Sequence, residues 1–177
     1  NSQIDWNAMY IANQNSAFPG RSVYVLYEDR TDDNQLSANT ILNSSISENV
    51  SLTAGANFKK LRSHNHQNLL DLLGGQYFLD IDPFYTGNAS QSNLNNPNRQ
   101  VGEGDTYGYN YLLHALTFDG FTQFKFTYDK ADFYLAQSFS RTEYQREGLY
   151  RNGIYADNSF GKGERVTFEN FGFKGGL

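Results

Sequence analysis

The chain contains no cysteine, only three prolines, one tryptophan and one methionine among its 177 residues. The missing cysteines exclude a disulfide scaffold and any thiolate metal site, without fixing the compartment. Scarce proline lets the segments between turns stay paired, since few backbone donors are lost. No run approaches the roughly 20 apolar residues of a transmembrane helix. The 14 basic residues are outnumbered by 19 acidic ones and form no stripe, which argues against a nucleic-acid partner. The opening Asn1-Ser2-Gln3-Ile4-Asp5 has no basic region followed by an apolar one, so no signal peptide is read there. That start, and an end at Gly175-Gly176-Leu177 straight after a strand-like run, lead us to expect an internal piece of something longer.

What the chain does have is aromatic rings. Thirteen Tyr and 14 Phe bring aromatics to 16%, although hydrophobic residues total only 38%. Strands that face two different media use such residues well. Period-2 alternation dominates. Residues 4–13 set Ile4, Trp6, Ala8 and Tyr10 against Asp5 and Asn7. In 36–46, Leu36, Ala38, Thr40, Leu42 and Ile46 oppose Gln35, Ser37, Asn39, Asn43 and Ser45. In 50–58, Val50, Leu52, Ala54, Ala56 and Phe58 oppose Ser51, Thr53, Gly55 and Asn57. One face is oily and the other polar but mostly uncharged, the pattern of a lipid-facing barrel wall. The faces of 133–144 are ambiguous, and in 165–174 Val166 and Phe168 disagree in parity with Phe171 and Phe173. The single helix-like piece is Asn68–Leu73, closed by Gly74-Gly75.

Connection lengths add a second signal. Ser47-Glu48-Asn49 and Asp129-Lys130-Ala131-Asp132 are tight, whereas 14–21, 64–104 and 148–163 are long and polar. Short and long alternate, as periplasmic turns and extracellular loops do in outer-membrane barrels. The expected fold is therefore all-β: an antiparallel meander of about six long strands within one segment of a large transmembrane β-barrel. Segment 106–128 flips its apolar parity, which a bulge near Asp119-Gly120 or an extra hairpin would explain.

Several segments resemble the barrel of TonB-dependent outer-membrane receptors. The run from Gly120 to Leu135 is similar to that family's aromatic-Gln strand, tight turn and returning strand, and Val50–Phe58 to another returning strand. Leu69–Gly75, Asn96–Asp105 and Tyr144–Tyr150 resemble loop pieces from one branch. The resemblance implies residence in the cell outer membrane, a large barrel in contact with outer-membrane lipid, and uptake of a bulky nutrient such as a siderophore, glycan or peptide. It also implies coupling to TonB through a plug and TonB box, neither of which is visible in these residues. A barrel without TonB coupling and an exported soluble β-rich adhesin or glycan-binding module stay open as alternatives.

Candidate sites are sparse. His64 and His66 alternate and would share a metal given a third ligand, but the remaining histidine, His114, is far off in sequence. We read them as solvated loop histidines and expect no metal. Asp80, Asp82, Glu103 and Asp105 match no calcium loop, and pairing of the carboxylates with Arg99 or with solvent is favoured. No Gly-x-Ser-x-Gly elbow, phosphate cradle or pKa-raising carboxylate environment is present, so neither an enzyme nor a cofactor is expected. Tyr77, Phe78, Phe84 and Tyr85 in the long loop, with Tyr150 and Tyr155 in the last, are the ligand-binding candidates. Packing into a loop core beside Leu69, Leu72 and Leu79 is their competing role. Selectivity is assigned first to 64–104, because loops beyond about 12–15 residues are usually functional or disordered.

Overall fold

The computed structural model describes residues 3–177; Asn1 and Ser2, where the cut-looking start was read, lie outside the described residues. One helix, α1 (Trp6–Gln14), precedes β1 (Leu26–Ser47), β2 (Val50–Asp71), β3 (Phe78–Leu79), β4 (Gln100–Val101), β5 (Thr106–Tyr128), β6 (Ala131–Gly148) and β7 (Gly161–Gly176). The long strands form one open antiparallel sheet in the order β1-β2-β5-β6-β7, and β3 pairs with β4. No helix among the described residues is long and apolar enough to cross a membrane.

The all-β expectation holds, with two corrections. Residues 4–13 are not a strand: Asp5 caps α1 by accepting a hydrogen bond from the Ala8 N–H at 3.0 Å. Trp6 and Tyr10 are four apart, so their spacing satisfies a helical face as well as an alternating one, and the capping residue decides. Five long strands therefore carry the sheet, one fewer than expected. Conversely, Asn68–Leu73 is not helical. Strand β2 continues through Asp71, and the chain turns at Leu73 and Gly74, with φ of 49° and 84°. The Leu69 N–H donates to the Asp105 carbonyl at 3.0 Å and its carbonyl accepts from Gly104, so backbone pairing with the segment before β5 keeps 68–71 extended. Strand β5 runs unbroken from 106 to 128, which removes the extra hairpin. The connections at 48–49 and 129–130 are two-residue turns.

The chain divides into two compact units, Asn1–Asp32 with Ser63–Leu112 and Arg146–Gly163, and Asp33–Arg62 with Leu113–Gln145 and Glu164–Leu177. All buried residues lie in the first. Leu69, Leu72, Val101 and Tyr107 form its core, with Val25 and Phe78 packed against them. In the second unit no described residue is buried. Phe126 stacks on Phe133 at 4.5 Å and Phe139 meets Phe171 at 5.0 Å on one face. Asn43–Thr53, Asn57–Asp119 and Ser140–Asn170 hydrogen bonds mark the other. This settles the ambiguous faces: Phe133 and Phe139 share the apolar face with Phe171 and Phe173, whereas Phe168 pairs edge-on with Tyr144 across the opposite one.

The first unit is tied together by one amide. The Asn13 Nδ2 donates to the carbonyls of Tyr24, Leu72 and Leu73 at 2.8, 2.9 and 3.0 Å, and its Oδ1 accepts from the Val23 and Tyr24 N–H groups. Asn13 is buried, so its removal strands backbone groups away from water. We predict that Asn13→Ala costs about 3 kcal/mol locally. Amide exchange over residues 22–25 and 72–75 should accelerate at least tenfold, and unchanged protection would show that α1 merely lies on the surface.

Candidate functional site

The segment 64–104 is an ordered structure, not a slack connection. After β2 it turns back so that Tyr77 bridges Arg21, Phe78 pairs with Val101 and Leu79 with Gln100. A short 3-10 turn follows at Gly87–Ser90. The last loop docks onto it through backbone: the Leu94 N–H donates to Arg151 O at 2.7 Å, and the Gly153 N–H to Gln91 O at 2.8 Å. The two long loops thus form one body.

The six sequence-predicted aromatics separate into different roles. Phe78 packs in the core, edge-on to Tyr107 at 5.6 Å, so packing and not display is its place. Tyr77 is half-buried and its carbonyl holds the Ser22 N–H. Phe84 is 90% exposed and Tyr155 61% exposed, and Tyr85 is exposed as well. Tyr150 is half-buried beneath the Arg99 guanidinium, which lies 5.5 Å over its ring. Among the described residues none of the six stacks on another.

A cleft of about 270 Å³ opens where the loops meet, lined by Phe78, Ile81, Tyr107 and Ile154 and by the polar Gln67, Asp80, Asp82, Gln91 and Asn152. Apolar walls with a few convergent polar groups are the usual makeup of a small-ligand site, though this one is at the small end, fit for a sugar ring or a side chain. Asp80 is buried; its carboxylate accepts from the Gly108 N–H at 2.9 Å and pairs with Arg99 at 3.5 Å, as the sequence suggested. Its former calcium partners are engaged elsewhere: Asp105 on the Gly102 N–H, Glu103 on Leu72 and Asp82 on Phe84. Sequence reading missed Gln91, Asn152 and Ile154, whose meeting depends on loop docking. Three larger hollows lie in the second unit: about 540 Å³ along Leu42, Phe118, Phe139 and Phe173, about 500 Å³ along Phe124 and Leu135, and about 410 Å³ along Asp119, Phe121, Ser140 and Asn170. The first two are wide concavities of the bare apolar face, with Thr122 and Gln137 among their linings.

A polar chain runs from this loop body into the strands. Arg99 and the Tyr150 phenol both donate to the Thr106 carbonyl. The Asn110 amide bonds the same phenol and, through Oδ1, the His64 Nε2 at 2.7 Å. Burial pushes the Tyr150 phenol up despite the neighbouring Arg99. Tyr109 is pushed up to about 12, by burial first and then by its hydrogen bond to Asp29. Beside this chain, Asp32 on β1 and His64 and His66 on β2 bring one ligand atom each within 4.8 Å of one another. His66 is buried, 6% exposed, which corrects the solvated reading, and its ring stacks on His64 at 4.2 Å. Its pKa is lowered by burial and then by His64.

Loop docking is testable at Gly153. A side chain there would place Cβ 1.9 Å from the Asn88 carbonyl oxygen and 3.0 Å from that of Gln91. Gly153→Val should part the two loops at a cost of about 1–3 kcal/mol. Proteolysis within 84–96 and 150–158 should then speed up several-fold while the long strands stay protected. Unaltered cleavage would mean that the loops are independent.

The chain matches no family model, no curated protein and no solved structure.

Proposed function

We propose that this chain is a stretch of the wall and extracellular loops of an outer-membrane β-barrel, a TonB-dependent receptor for a bulky nutrient. The observation that carries the reading is the second unit: a sheet in which no described residue is buried, with large apolar side chains on one face and hydrogen-bonded polar ones on the other. Phe171 and Phe173 are 71% and 79% exposed. Water does not tolerate so large a continuous apolar face, so something must cover it.

Lipid fits the dimensions of that face. From the short turns, the apolar stretch runs over Ile46 to Leu36 on β1, Val50 to Phe58 on β2, Tyr128 to Phe118 on β5 and Phe133 to Phe139 on β6. On β1, β2 and β5 these lengths match the ~9–11 residues with which a tilted strand crosses a bilayer, and the stretch on β6 is shorter. Charge begins where the stretch ends: Lys59, Lys60 and Arg62 on β2, and on β6 and β7 a network of exposed Arg141, Arg165 and Glu169 with the half-buried Glu143, joined at 2.7–3.3 Å. Tyr128, stacked on Phe133, sits beside the tight turn on the apolar face, where an interfacial aromatic girdle belongs. Another protein sheet would cover the face equally well in area, but it would not require charge to begin beyond the apolar stretch on β2, β6 and β7. The TonB-coupled activity rests on the resemblance of Gly120–Leu135 and the loop pieces, and the loop body with its cleft supplies the contact surface for a nutrient.

Two experiments test this reading. Leu42→Arg and Leu52→Arg should each cost roughly 2–4 kcal/mol if near the midplane, whereas Asn43→Arg and Thr53→Arg on the hydrogen-bonded face should cost far less. Folding yield into lipid vesicles measures both, and equal losses on the two faces would refute the lipid assignment. For the receptor role, replacing 76–100 by a short Gly-Ser linker in the parent protein should leave the barrel inserted, since no long strand is cut. Nutrient binding should fall at least tenfold; unchanged binding and uptake would move the site away from the loops.

A further inference from the structure

We infer that Asp32, His64 and His66 form a binding site for a divalent transition ion of borderline softness, zinc foremost. The inference does not depend on the membrane reading, because it rests on neighbouring strands of the first unit alone.

Strand geometry brings the ligands together. His64 and His66 are two apart on β2 and therefore share a face. The cross-strand hydrogen bonds Thr31–Asn65 at 3.2 Å and Asp29–Gln67 at 3.1 Å place Asp32 of β1 opposite His64 on that same face. Two imidazoles and a carboxylate are a donor set that suits zinc and its neighbours and leaves coordination positions open for water or a ligand. Calcium and magnesium take oxygen donors and are poorly served by it.

The protonation pattern is already that of a ligand set. An amide oxygen only accepts, so the contact from His64 Nε2 to Asn110 Oδ1 puts the His64 proton on Nε2 and leaves Nδ1 with its lone pair. Metal-bound histidines are oriented in this way by an outer hydrogen bond on the second nitrogen. The Tyr150 phenol holds the Asn110 amide from its other side. His66 Nδ1 is buried and has no hydrogen-bond partner. A buried polar atom without a partner is costly, and a metal bond would satisfy it. The ligand atoms lie up to 4.8 Å apart, whereas two Zn–N bonds span at most ~4.2 Å, so the stacked rings must rotate modestly to close on an ion.

One group opposes the ion. Arg30 Nη2 donates to both Asp32 oxygens at 3.1 and 3.3 Å, with Nη1 3.7 Å from Glu28. Binding requires Asp32 to leave Arg30, which keeps Glu28 as its partner. Arg30 thus weakens the site and shields its carboxylate when no ion is bound.

The test is zinc titration of the tag-free, detergent-purified protein by calorimetry, with cobalt(II) absorption as a second readout of ligand type. One ion per chain is expected, with a cobalt spectrum of nitrogen and oxygen ligation. His64→Asn and His66→Asn should each weaken binding by more than the ~10–100-fold that loss of an outer partner costs, and Asn110→Ala by about tenfold. Arg30→Gln should tighten it several-fold, and His114→Asn should leave it unchanged. Circular dichroism of each variant separates lost ligation from lost fold. No zinc binding by the unaltered protein, or wild-type affinity in a folded His64→Asn/His66→Asn double variant, overturns the site. Weaker binding in Arg30→Gln overturns the role given to Asp32.

Discussion

A β-sheet has two faces, and hydrogen bonding between its strands does nothing for the side chains on either. In the second unit both faces are uncovered by the chain itself, and every other property of that unit follows from how the uncovered faces differ. One carries Leu42, Phe124, Leu135 and Phe173, a surface that must be taken out of water. The other carries Asn43, Thr53, Asn57 and Asp119, hydrogen-bonded in pairs and content beside water. A sheet of this kind is stable only where two media meet or where other chain supplies the missing layers. Rings also lie on that face, Phe168 with Tyr144 and Phe121 over Gly55, where glycine is required because a Cβ would fall 2.5 Å from the Phe121 ring.

The first unit solves the burial problem internally, and by a different route. Its apolar core is small, built on Leu69, Leu72, Val101 and Tyr107, so polar groups do much of the joining. Asn13, Ser22, Asp80 and Gln91 are all buried, and each spends its side chain on backbone N–H or carbonyl groups of distant segments or on a neighbouring side chain. Such networks are rigid when every member is satisfied. That rigidity gives the cleft near Asp80 a fixed shape and lets the Asn110 amide orient His64 while it holds Tyr150. Against this background two buried nitrogens of the unit have no hydrogen-bond partner, His66 Nδ1 and Arg99 Nε, and of the two only the imidazole nitrogen can offer a lone pair to an ion.

Much of this was legible in the residues themselves. Alternation sustained over 36–46 and 50–58, broken only at Ile41, pointed to the two-faced strands, because over such a length a period of two suits a strand and not a helix. The short polar pieces 47–49 and 129–132 marked the tight turns, which the structure narrows to Glu48-Asn49 and Asp129-Lys130. Arg99 was readable as a partner for one of the four loop carboxylates, but that Asp80 is the buried one, and that Phe78 packs instead of being displayed for a ligand, was not. Tertiary structure decided the rest. Over Ile4–Tyr10 the apolar spacing fits helix and strand alike, and the choice fell to the Asp5 cap and to Asn13, whose partners lie some 60 residues away. Asn68–Leu73 reads as a helical turn locally, but pairing with Gly104 and Asp105 held it extended. The histidines looked isolated because their third partner, Asp32, is distant in sequence and becomes a neighbour only through the register of β1 on β2. Local periodicity fixes which way a side chain points; only the pairing of strands decides what it meets there.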